Sequence, residues 1–120
     1  MGKKVLIVED DMIISMVNKR YIESLGFKVV QSVRNGPDAI EAAKNHSPDV
    51  ILMDIRIDGE MDGITAMEEI RKFSNAGVIY LTGNSEPATK ARAEQTNMLA
   101  FYAKPVSLDD IKDVLDKLGC

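Results

Sequence analysis

Short apolar runs alternate along the whole chain with segments of helical periodicity, and this order leaves few possible folds. Five runs bounded by polar or turn residues are predicted as strands: 5–8, 27–33, 50–53, 78–81 and 99–103. A helical pattern follows each of them. Strand-then-helix alternation predicts an α/β fold, with a parallel sheet covered by helices on both faces. Right-handed crossovers reduce the topologies to a few doubly wound forms.

The helices are predicted from their apolar spacing and from the residues at their ends. The first helix begins near Asp11, an acid that suits the positive helix N-terminus, and ends at Gly26. The second runs over 37–45, the fourth over 86–97 with Ser85 as cap, and the last begins after Ser107. The apolar positions on the helix faces are Ile13, Met16, Val17, Tyr21 and Leu25 in the first, Ile64, Met67 and Ile70 in the third, Ala88, Ala91 and Ala93 in the fourth, and Leu108, Ile111, Leu115 and Leu118 in the last.

Composition restricts the class of protein. A length of 120 residues is typical of one domain, and we expect a single domain over residues 1–120. The net charge of −4, from 15 basic and 19 acidic residues, argues against direct nucleic-acid binding. The longest apolar run, 50–53, is far too short for a membrane span. The single cysteine, Cys120, cannot form an internal disulfide, which favours a reducing, cytoplasmic compartment.

Reactive side chains stand where four of the predicted strands end. In doubly wound sheets ligands bind beyond the carboxyl ends of the strands, so these residues should share one edge. They are Glu9 and Asp10 after the first strand, Asp54 after the third, Thr82 after the fourth and Lys104 after the fifth. Three acids so close together repel one another and favour a hard divalent cation, and Mg²⁺ suits a site with few protein ligands. A carboxylate beside Mg²⁺ is a plausible nucleophile for phosphoryl transfer, with the hydroxyl and the ammonium holding phosphoryl oxygens.

These motifs, taken together, carry a family resemblance. The chain resembles a response-regulator receiver domain of two-component phosphorelay signalling, the CheY-like fold with strand order 2-1-3-4-5. The matching segments appear in family order over the whole chain: 5–11, 48–54, 62–64, 81–83 and 104–105. The resemblance implies a flavodoxin-like sheet and a phosphorylation switch without an output domain. It also implies a histidine kinase or histidine phosphotransfer protein as phosphodonor, a downstream protein target, and a monomer or weak dimer.

The resemblance implies a role for each site residue. Asp54 is the phosphoacceptor, Asp10 the direct Mg²⁺ ligand and Glu9 a ligand through water, with the backbone carbonyl of Arg56 as a further ligand. Thr82 and Lys104 contact the phosphoryl group, and Phe101, three residues before the lysine, is the switch aromatic. Mn²⁺ is expected to substitute for Mg²⁺. Catalysis is expected to be limited to the protein's own phosphorylation and dephosphorylation, with Arg56 and Asn84 tuning the lifetime.

Some residues depart from the family pattern, and other readings stay open. Glu9 stands where the family commonly has Asp, and the loop 56–63 lacks a frequent proline. In that loop Glu60 and Asp62 are predicted to be solvated. The chain is either a stand-alone regulator or a receiver piece of a hybrid histidine kinase. A pseudo-receiver that never takes phosphate is one alternative. A phosphatase of the haloacid-dehalogenase type is another, although that type has a second Asp at the position that Arg56 occupies here.

Overall fold

The five predicted strand–helix units are all present in the computed structural model, which describes residues 3–83 and 86–117. The strands are β1 (Lys4–Val8), β2 (Lys28–Val33), β3 (Val50–Asp54), β4 (Gly77–Thr82) and β5 (Ala100–Ala103). The helices are α1 (Met12–Ser24), α2 (Gly36–His46), α3 (Gly63–Ile70), α4 (Pro87–Glu94) and α5 (Leu108–Lys117). The parallel sheet has the order β2-β1-β3-β4-β5, which confirms the predicted doubly wound α/β fold.

The three central strands, β1, β3 and β4, are buried on both faces of the sheet. Successive residues of a strand point to opposite sides, so each strand contributes to both halves of the core. In β3 all five residues are buried. Ile51 and Met53 pack into the cluster that holds residues of α2, α3 and α4, whereas Val50 and Leu52 pack into the cluster that holds residues of α1 and α5. This two-sided burial explains why the central strands are continuous apolar runs rather than alternating patterns.

Side-chain caps and one left-handed glycine set the helix ends. Asp11 caps α1 by accepting from the amides of Ile13 and Ile14, and Ser107 caps α5 by accepting from Asp110 at 3.0 Å. Gly26 has a φ of 90°, a conformation that L side chains rarely adopt, and it ends α1 as predicted. The predictions for Ser85, Asn84, Leu118 and Cys120 lie outside the described residues.

Two predicted helix faces are wrong in part. In α1 the predicted residues Ile13, Met16 and Val17 are exposed, whereas Tyr21 and Leu25 pack against the core as predicted. The fully buried positions of this helix are Asn18 and Ile22. Apolar periodicity identifies the helix, but the rotation about its axis is set by how its capped start leaves β1 and docks on the sheet. In α4 Ala93 is buried while Ala88 and Ala91 are exposed, and the helix is shorter than predicted.

Within 3–83 and 86–117, no helix combines the length and the apolar character needed to cross a membrane.

Candidate functional site

The carboxyl edge of the sheet brings together side chains from four segments of the chain. Glu9 and Asp10 follow β1, Asp54 ends β3, and each offers a carboxylate oxygen within 4.8 Å of the other two. Glu9 and Asp54 are buried, whereas Asp10 is half-buried. Parallel neighbours end at the same edge, so the order β1-β3-β4 makes this convergence a direct result of topology.

Lys104 lies between two of these acids. Its Nζ is 2.9 Å from Asp54 Oδ2 and 3.0 Å from Glu9 Oε1. Burial would lower the pKa of this ammonium, but the hydrogen bonds and charges of Asp54 and Glu9 outweigh that cost and raise it. The lysine is therefore held protonated, with its charge directed at the proposed phosphoacceptor.

The acids outnumber the cations that neutralise them. Desolvation raises the pKa of Glu9, and the neighbouring Asp54 carboxylate raises it further. Desolvation also raises the pKa of Asp10, and Glu9 adds to that effect. Glu9 Oε1 is buried and faces the Lys104 ammonium at 3.0 Å, which it shares with Asp54. A further cation would stabilise the ionised forms of Glu9 and Asp10.

This oxygen-only donor set fits a hard divalent cation. Three carboxylates from two strand ends can each supply one oxygen. Mg²⁺ accepts few protein ligands because it retains several waters, and it prefers oxygen over nitrogen or sulfur. The buried Glu9 oxygen shares one ammonium with Asp54, and the pKa values of Glu9 and Asp10 are raised; these are the observations that support the fit.

The loop after β3 places Arg56 beside Asp54. The amide of Arg56 donates to Asp54 Oδ1 at 3.3 Å, while its side chain is exposed. Arg56 and Thr82 line a cavity of about 250 Å³ together with Asp62 and Arg92. The role of the Arg56 carbonyl as a metal ligand stays a prediction.

Thr82 and Phe101 lie on adjacent strands. Thr82 is buried at the end of β4, and its carbonyl accepts from the amide of Lys104 at 2.9 Å. Phe101 in β5 is half-buried and pairs in register with Tyr80 of β4. It also packs against the hydrophobic cluster to which Tyr80 belongs. The two predicted switch residues are therefore on neighbouring strands, with Phe101 next to a buried aromatic ring.

The prediction that Asp62 is solvated is wrong. Its side chain is 32% exposed, accepts from the amide of Thr65 to cap α3, and pairs with Arg92 of α4. Burial alone would raise the pKa of Asp62, but hydrogen bonds from Arg92 and Thr65 lower it below its usual range. The cap has a sequence signal, since Asp precedes Gly63 and an apolar helical pattern. The Arg92 partner has none, because it lies 30 residues away.

Comparison with known proteins gives one consistent result. The family model described as response regulator receiver domain matches residues 5–116. The chain is 35% identical over 118 residues to the chemotaxis protein CheY of Bacillus subtilis, covering 98% of each sequence. It superposes with a TM-score of 0.89 and 30% identity on the signal receiver domain of a modulated diguanylate cyclase from Desulfovibrio desulfuricans, covering 98% of this chain and 93% of that one.

A second solved structure adds a ligand to the comparison. CheY in the CheX–CheY–BeF3–Mg²⁺ complex of Borrelia burgdorferi has a TM-score of 0.89 and 25% identity to this chain, with coverage of 98% and 90% respectively.

Proposed function

This chain belongs to the response regulator receiver domain family, and from that premise we propose that it is a phosphorylation-dependent signalling switch whose phosphoacceptor is Asp54. The observation that carries the proposal is the position of Asp54. It ends the fully buried strand β3, Lys104 lies 2.9 Å from one of its oxygens, and two further acids lie beside it. A buried acid facing a lysine and a metal-type donor set is suited to receive a phosphoryl group.

The proposed reaction is transfer from a phosphohistidine of a histidine kinase or phosphotransfer protein. An oxygen of Asp54 forms a bond to phosphorus while the P–N bond to the donor imidazole breaks. The imidazole nitrogen keeps the electron pair of that bond and takes a proton from solvent. Lys104 keeps its position at the site and its ammonium turns from the carboxylate to a phosphoryl oxygen. Catalysis in this proposal is limited to forming and hydrolysing the protein's own aspartyl phosphate.

Asp10, Glu9 and Asp54 would hold a Mg²⁺ ion, with the Arg56 carbonyl as a further ligand. When bound, the ion supplies positive charge that neutralises the transferred phosphoryl group. Asp10 is the best exposed of the three acids and is proposed as the direct ligand, with Glu9 acting through water.

The proposed output is a change on the face formed by α4, β5 and α5. Thr82 would be drawn toward the phosphoryl oxygens, and Phe101 on the adjacent strand would move inward after it. Phe101 has no hydroxyl, so packing against the Tyr80 cluster must drive this movement. A partner protein that reads this face, or a second histidine that takes the phosphoryl group, would receive the signal.

The test is intact-mass analysis after incubation with acetyl phosphate and Mg²⁺. We expect one phosphoryl adduct on the wild-type protein, and none with Asp54→Asn or in EDTA. Asp116→Asn is the matched control, because it removes one carboxylate from the exposed Lys112–Asp116 pair of α5 and should keep the adduct.

Other outcomes would favour the alternative functions. An adduct that survives Asp54→Asn contradicts the assignment of the phosphoacceptor. Absence of any adduct on a folded wild-type protein indicates a pseudo-receiver, and rapid turnover of p-nitrophenyl phosphate indicates a phosphatase.

A further inference from the structure

Apolar packing holds α4 less firmly than its neighbours. Ala93 is the buried residue of this helix, whereas α5 buries Ile111, Val114 and Leu115. An alanine side chain buries little area, so hydrophobic burial contributes little to the position of α4. Polar contacts must therefore supply a large share of what keeps the helix in place.

One such contact joins α4 to the start of α3. Arg92 Nη1 donates to Asp62 Oδ2 at 3.0 Å, and Nη2 reaches Asp62 Oδ1 at 3.4 Å and Thr65 Oγ1 at 3.3 Å. The guanidinium thus contacts both carboxylate oxygens, an arrangement that fixes orientation as well as distance. Asp62 is itself immobilised, because its Oδ1 accepts from the amide of Thr65 at 2.8 Å.

The residue after Asp62 lies against the proposed phosphoacceptor. The amide of Gly63 donates to the carbonyl of Ile55 at 2.7 Å, and a Cβ at Gly63 would lie only 2.3 Å from the carbonyl oxygen of Asp54. The main chain at Gly63 is therefore in direct contact with the main chain of Asp54, and interiors this dense transmit small displacements. A continuous set of contacts therefore runs from the backbone of Asp54 through Gly63 and Asp62 to Arg92.

We propose that the Arg92–Asp62 pair is a tether that holds α4 in the arrangement of the unphosphorylated protein and so opposes its movement on phosphorylation. The inference rests on the proposed function and adds a regulatory contact to it. The contact is separate from Thr82 and Phe101, since it leaves the phosphoacceptor strand through α3 rather than through β4 and β5.

The expected size of the effect is small and measurable. Both side chains are partly exposed, Arg92 by 46% and Asp62 by 32%, so water and salt screen the pair. Loss of such a pair should shift a two-state equilibrium of α4 by about two- to five-fold. The same loss should speed amide hydrogen exchange in α4.

Binding of beryllium fluoride with Mg²⁺, a stand-in for the phosphoryl group, tests the tether. The variants are Arg92→Gln, Asp62→Asn, which keeps an oxygen for the α3 cap, and the double variant. Lys112→Gln is the control for Arg92→Gln, since it breaks an exposed pair on α5 with the same change in charge. We expect each single variant to be half-saturated at a beryllium fluoride concentration about two- to five-fold lower than wild type requires. The affinity of the double variant should rise no more than that of either single variant, because the two substitutions remove the same contact.

The direction in which Arg92→Gln changes the affinity for beryllium fluoride separates the tether from a plain charge effect. Removing a cation near an anion site weakens anion binding by electrostatics alone, whereas loss of the tether tightens it. Equal or weaker binding by Arg92→Gln, with unchanged α4 exchange, would overturn the inference. If the wild-type protein binds no beryllium fluoride, the proposed function fails. In that case exchange in the metal-free protein still decides: faster α4 exchange in Arg92→Gln supports the tether, and unchanged exchange refutes it.

Discussion

Replacing Lys104 by methionine should destabilise the metal-free protein by about 3 kcal/mol near pH 8. The ammonium lies 2.9 and 3.0 Å from oxygens of Asp54 and Glu9, whose side chains are 3% and 1% exposed. At these distances each attraction is roughly 5 kcal/mol before the cost of desolvating the lysine, if the effective dielectric constant is about 20. Removing one partner of a buried ion pair typically costs about 3–5 kcal/mol, and the 19% exposure of Lys104 favours the lower end.

The pH dependence of this loss follows from Glu9. Its pKa is raised above the usual 4.5, so ionisation of Glu9 destabilises the folded state and protonation removes that destabilisation. The stability linked to Glu9 is complete below 4.5 and is lost as pH rises through the raised value. Without Lys104 the carboxylates repel more strongly, so the difference from wild type should be smaller at about pH 5 than at about pH 8.

Urea denaturation in EDTA at these two pH values, repeated with excess Mg²⁺, measures the effect. Mg²⁺ should stabilise Lys104→Met more than wild type, because the ion replaces the missing positive charge. Lys112→Met, which loses an exposed pair, should leave the midpoint within experimental error. A Lys104→Met midpoint equal to wild type in EDTA at the higher pH would refute this account of the site.

Three further predictions follow from the same contacts. Asp10→Asn should weaken Mg²⁺ binding and phosphorylation yet stabilise the protein in EDTA, because it removes one of the clustered acids; a lower denaturation midpoint in EDTA contradicts this. Amide exchange measured by mass spectrometry should be faster in α4 than in α5, and equal protection would be evidence against weak packing of α4. Gly63→Ala should cost about 1–3 kcal/mol and slow adduct formation, because the new methyl group meets the Asp54 carbonyl; an unchanged midpoint in thermal denaturation would rule out that clash.

Much of the candidate site was predictable because it depends on strand ends. Once five strands alternate with helices, the sheet must be parallel, and the residues after its strands must share one edge. Glu9, Asp10, Asp54, Thr82 and Lys104 all follow or end apolar runs that are recognisable in a short window. Their convergence needed no knowledge of how any side chain packs.

The rest depended on how the helices dock. Part of the apolar pattern in α1 faces water, with Ile13 74% exposed, while Asn18 is buried. The pairing of Arg92 with Asp62 joins two helices across 30 residues, and neither residue belongs to an apolar pattern. Such contacts depend on the rotation and position of whole helices, which many distant residues set together.

The order of elements, the parallel sheet and the chemical character of its edge can be read from the amino-acid sequence, because they follow from local periodicity and from chain connectivity. The tertiary structure decided which acids share Lys104, which face of α1 is buried, and that Asp62 links α3 to α4. The physical reason is that a side chain's partners depend on distances of a few ångströms between segments far apart in the chain, and only the packed structure sets those distances.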